Sequence, residues 1–228
     1  VQNSARTRYR DPGLNINDAG EKVRQLVNEH ILSTGVDPKI PPVDLMAANF
    51  RESVQQIKSP ESRASEIESA IKHHITVNLE EDPEYYKSLS LRLRDIIEKT
   101  NGKWDQQLEL LLAMVSTLES DRKQAAKDLG LTETELAFYN ILMAEVIRLS
   151  GDEVVDEAVH EEIKTTTRVL VEMFDEATQI VDFFKKDEEI KRMKKAIKRA
   201  ILDCAFADPA LVKVVQDRFM ELAKSKFA

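Results

Sequence analysis

WDQQLELLLAMVSTLESDRKQAAKD, residues 104–128, decides the fold. Leu108, Leu111, Val115 and Leu118 recur at alternating three- and four-residue intervals, with Leu112 beside them, which places them on one face of a helix. No glycine or proline interrupts the stretch, and most of its residues are strong helix formers. Gly130 follows as a C-cap. Thr132 and Glu135 then form a capping box for a second helix, which carries Leu136, Tyr139, Ile141, Leu142 and Val146 and ends at Gly151. On the other side, Asn101-Gly102 turns the chain between two helical patterns, so it reads as a helix–helix loop and not a β-hairpin.

The same signals recur outward. Asp82-Pro83 and Ser59-Pro60 each place a capping side chain before a proline at the first helical position. Tyr86, Leu89, Leu93 and Ile96 mark one buried stripe, and Ile67, Ile71, His74 and Ile75 another. A short helix is expected over 45–57. Asp37-Pro38 and Pro41-Pro42 predict an extended linker, because a residue before proline is pushed out of the helical region. Before it, Val23, Leu26, Val27, His30 and Ile31 predict a helix from Asp18 to Gly35, after an irregular lead-in at 1–17. Toward the C-terminus the pattern predicts one long helix from Asp152 to Lys185, then helices over 187–202 and 209–224 with Asp208 as a cap. The fold class is all-α, an irregular bundle of seven or eight helices. The expected division is residues 1–42, an arm with first helix and linker, and 43–228, the main helical domain.

Composition excludes several classes of function. Of 228 residues, 42% are hydrophobic and 32% charged, an ordinary globular balance. The net charge of -8 argues against a uniformly basic nucleic-acid surface. Cys204 is the single cysteine, so a disulfide framework and a four-cysteine zinc site are excluded, and a reducing cytoplasm is expected. The longest apolar run, Leu110 to Val115, is six residues, far short of the roughly 18 needed to span a bilayer. The sequence opens on Val1 with neither an initiator methionine nor an apolar signal segment, as expected of a chain that starts inside a longer protein.

Catalytic constellations are missing. The six glycines are isolated and never form a phosphate-binding loop, so no ATP site is expected here. His73 and His74 are adjacent and diverge on a helix, and His160 lacks a second histidine at metal-ligand spacing. Asp152, Glu153, Asp156, Glu157, Glu161 and Glu162 read first as a solvated acidic face. Cys204 reads as a small hydrophobe, and Trp104, Tyr85 and Tyr86 as core or seam residues. Charge is uneven, however. Arg6, Arg8 and Arg10 share the first ten residues with no acid, and residues 185–199 hold eight basic side chains against three acidic ones. Ile190, Met193, Ile197 and Ile201 give that second segment an apolar stripe, a basic amphipathic pattern suited to an acidic protein surface or a phosphate backbone. The candidate interaction surface is Lys191, Arg192, Lys194, Lys195, Lys198 and Arg199.

Four stretches together resemble the C-terminal helical region of the restriction (R) subunit of type I restriction–modification enzymes. They are Glu29 to Pro42, Ala64 to Ile75, Asp82 to Ser90 with Leu93 and Trp104, and Ala137-Phe138-Tyr139 with Met193 to Arg199. After Arg199 the chain departs from that pattern, with Cys204-Ala205-Phe206-Ala207-Asp208-Pro209 in place of a leucine-rich end. The resemblance implies a parent that translocates and cleaves double-stranded DNA, with ATP and magnesium serving its nuclease and helicase-like motor domains. None of those motifs lies in this chain, so the resemblance assigns no catalytic, cofactor-binding or metal residue to it. It implies a role beside the parent's motor domains, docking the R subunit to the methyltransferase and specificity subunits. The alternatives are a duplex-DNA-binding accessory using the basic helix at 190–201, and a purely structural brace. No membrane partner is expected.

Overall fold

Ser59 Oγ accepts a hydrogen bond from Ser62 N at 3.0 Å and sets the start of the first long helix. The structure is a computed structural model that describes Leu45, residues 50–151 and residues 155–227. Within them run α1 (Phe50–Gln55), α2 (Pro60–Asn78), α3 (Pro83–Lys99), α4 (Trp104–Leu129) and α5 (Glu133–Ser150). They are followed by α6 (Glu157–Thr178), a 3-10 turn at Phe183–Lys185, α7 (Asp187–Leu202) and α8 (Pro209–Phe227). No strand occurs among the described residues, and the fold is all-α as the periodicity predicts. The expected helix at 18–35, the linker after it and the division at residue 42 lie outside the described residues.

Caps fix most boundaries. Asp82 accepts from Tyr85 N at 3.2 Å to open α3. The box at α5 is complete: Thr132 Oγ1 accepts from Glu135 N, and Glu135 Oε2 accepts from Thr132 N at 2.6 Å. Gly130 ends α4 at φ 65°, a left-handed conformation that glycine adopts without strain.

The single helix expected over 152–185 is a correction. Asp156 is extended and accepts from Ala158 N at 3.2 Å, so α6 begins at Glu157. It ends at Thr178, whose hydroxyl donates to Phe174 O at 2.8 Å. Asp182 then turns left-handed at φ 56°, and the 3-10 turn buries Phe183 before the chain reverses into α7. Within this break Phe183 joins the apolar core.

Two separate apolar clusters result. One lies among α1, α2, α3 and the first half of α4, with Phe50, Ile67, Ile71, Ile75, Leu89 and Leu111 fully buried. The other lies among α5 to α8, where Phe138 meets Phe219 edge-to-face at 4.9 Å and Phe174 at 5.5 Å. Residues of α4 serve both, since Leu118 belongs to the first and Ala126 to the second.

A polar seam joins the halves. Arg218 of α8 pairs with Glu84 of α3 and, at 2.8 Å, with Glu145 of α5. Asp82 is fully buried there and accepts from Asn140 Nδ2 of α5 at 3.1 Å. Arg122 of α4 lies 3.6 Å from Asp82 and 3.5 Å from Glu133. Burial is the largest influence on Asp82 and raises its carboxyl above the ordinary range, although Tyr85 N, Arg122 and Asn140 each pull it down.

Candidate interaction surface

α7 combines three acids in its first turn, Asp187, Glu188 and Glu189, with Arg199 in its last, an arrangement that complements the helix dipole. Met193, Ile197 and Ile201 recur every four residues and are buried in the second apolar cluster. Among its other side chains, Lys191, Arg192, Lys195, Lys198 and Arg199 are exposed.

The structure divides the six predicted surface residues into two groups. Lys191 pairs with Glu188 at 2.9 Å, and Arg192 with Glu189 at 2.8 Å, each one helical turn back. Lys194 pairs with Asp217 of α8 at 2.6 Å, and its backbone carbonyl accepts from Gln216 Nε2. Those three are engaged within the molecule. Lys195, Lys198 and Arg199 are exposed and have no ion pair among the described residues.

Beside them lies a feature the sequence reading missed. α7 and α8 enclose a groove of about 580 Å³ lined by Lys194, Lys198, Leu202, Val212, Lys213 and Asp217, with Pro209 at one end. The loop between the helices is held in place by Glu162 of α6, which accepts from Ala205 N at 3.0 Å, and by Asp208, which accepts from Ala210 N at 2.6 Å. Lys213 belongs to a different helix from the basic run, so no local spacing announced it. The only hint was a lysine one turn past Pro209.

Groups that could carry chemistry are placed otherwise. His73 is exposed and His74 half-buried, with His74 edge-on to Tyr86 at 5.8 Å and beside Asn78. Among the described residues no three histidine, cysteine or acidic side chains come together as a metal site. The Cys204 thiol donates to Ala200 O at 3.0 Å, and burial pushes its pKa up, away from a nucleophilic thiolate. Tyr139 meets His160 Nδ1 at 2.6 Å and is pushed up to about 12 by burial, then by Glu161 and Glu157. A second concavity of about 420 Å³ at the seam is lined by His74, Asn78, Tyr85, Tyr86 and Arg122. Arg122 has two buried nitrogens without a hydrogen bond there, but Asp82, Glu81 and Glu133 already surround its charge. An added anion would meet three carboxylates. No helix among the described residues is long and apolar enough to cross a membrane.

These features define an all-helical module with an outward cationic face and, among the described residues, no convergent metal-binding cluster. Comparison with known families agrees with the resemblance carried by the sequence. Residues 4–224 match the family described as type I restriction enzyme HindI endonuclease subunit-like, C-terminal, and the chain belongs to that family. It is also 25% identical over 191 residues to a protein of Methanocaldococcus jannaschii described as a putative type I restriction enzyme MjaIXP endonuclease subunit. That match covers 82% of this chain and 18% of the relative, so the chain spans about a fifth of that protein's length. No solved structure matches the chain significantly.

Proposed function

We propose that this chain is the docking region of a type I restriction endonuclease subunit, attaching that subunit to its methyltransferase–specificity core and performing no chemical step itself. The observation that carries the reading is the outward trio Lys195, Lys198 and Arg199. These cations are left unpaired on a helix whose other basic residues are satisfied internally. Long cationic side chains held outward on a rigid, buried-stripe helix suit recognition of an acidic protein surface, where charge sets orientation and association rate. ATP and magnesium belong, on this reading, to the motor and nuclease domains of the parent.

The test is capture of the purified methyltransferase–specificity complex by the immobilised chain. A variant with Lys195→Gln, Lys198→Gln and Arg199→Gln should capture much less at equal fold stability. Lys194 is left intact, because changing it would also break its contact with Asp217. No capture by the unmodified chain refutes docking. Equal capture by the variant refutes this choice of face.

A further inference from the structure

The groove between α7 and α8 has a character that neither helix has alone. Leu202, Pro209 and Val212 supply apolar surface, and Leu202 is 41% exposed there. Lys194, Lys198 and Lys213 rim it. Its single acid, Asp217, is taken up by Lys194. Lys198 and Lys213 therefore face the groove from opposite helices with no ion pair among the described residues.

A cationic rim around an apolar floor asks two things of an occupant. It must bring negative groups to the lysines, and an apolar side chain to cover the floor. Resting on the docking reading, we propose that this groove takes an acidic segment of a partner chain. An aliphatic side chain of that segment covers Leu202, and flanking carboxylates meet Lys198 and Lys213. The volume of about 580 Å³ lies within the range of pockets that bury a compact group. Exposed lysine–carboxylate pairs contribute little by themselves, so the apolar anchor carries affinity and the charges select orientation. Duplex DNA suits the site less well. A phosphate backbone gains nothing from Leu202 and Val212, and Asp187, Glu188 and Glu189 interrupt any phosphate track along α7.

The experiment is fluorescence anisotropy on the full chain with three labelled probes. One is a short polyglutamate peptide with a central leucine, one is the same peptide with glutamine in place of leucine, and one is a short duplex DNA. The leucine peptide should bind most tightly. The double variant Lys198→Glu, Lys213→Glu should weaken it at least about tenfold, the size of effect expected when two matched charges become repulsive. Leu202→Gln should bring its affinity down to that of the glutamine peptide. All three substituted residues are exposed, and an unchanged unfolding midpoint verifies the fold. Equal binding of the two peptides overturns the proposal, as does tighter binding of the duplex that the double variant abolishes. The methyltransferase–specificity complex separates this failure from failure of docking. Equal capture of it by the unmodified chain and the double variant removes the groove and leaves docking standing. Absence of capture by either removes docking, and the peptides still decide the groove.

Discussion

Arg218→Met removes the cation that α8 places between a carboxylate of α3 and one of α5. Side-chain exposure is 9% for Arg218, 9% for Glu145 and 15% for Glu84, so both acids would lose their partner in a poorly solvated place. Deleting one member of a buried ion pair costs about 3–5 kcal/mol, because the remaining charge has paid desolvation without return. Each acid retains a second cation: Arg148 lies 2.7 Å from Glu145, and Lys87 lies 3.4 Å from Glu84. The loss should therefore fall at the low end, about 3 kcal/mol. Urea unfolding followed by circular dichroism measures it, with an unchanged slope showing that the same surface is exposed. Adding Glu84→Gln and Glu145→Gln to the variant should restore stability to within about 1 kcal/mol, since replacing a whole buried ionic group by neutral residues is often close to neutral. A loss below about 1 kcal/mol in the single variant, the range of an exposed pair, would refute the reasoning. So would a triple variant no better than the single one.

Three further outcomes are expected. Because burial raises the folded-state pKa of Asp82, the stability linked to its proton is complete below the unfolded value and lost as pH rises through the folded one. Asp82→Asn keeps a capping oxygen but has no such proton, so the stability difference should move in the variant's favour as pH climbs from about 4 toward neutrality; a difference independent of pH contradicts this. Thr132→Ala opens the capping box of α5 and should lower stability by about 1 kcal/mol in the same urea assay. Cys204 should react with iodoacetamide several-fold more slowly in the folded chain than in urea at equal pH, given its raised pKa and its bond to Ala200 O.

Local chemistry made most of the fold legible. Ser59, Asp82 and Thr132 each announce a helix start, and each side chain accepts the backbone bond expected of it. The basic amphipathic helix was legible for the same reason, since its apolar stripe and its charges lie within sixteen residues. The stop at Thr178 was not. No glycine or proline marks it; what accompanies it is a left-handed Asp182 and the burial of Phe183 against other helices. The seam and the groove were hidden by distance along the chain. Arg218 and Glu84 are 134 positions apart, and Lys194 and Asp217 are 23 apart on different helices. Spacing within a single element carries no information about such meetings. It also could not reveal that half of the predicted basic surface is spent on internal pairs.

A joint made of charged and amide side chains behaves differently from one made of leucines. When two bundles meet through grease, parting them presents a sticky face to every neighbour in solution. Here α4 contributes to both apolar clusters, and the contacts between the two groups of helices include polar pairs, Asp82 with Asn140 and Arg218 with Glu84. Polar pairs of this kind would be hydrated if parted, and on return they would select each other by charge and direction.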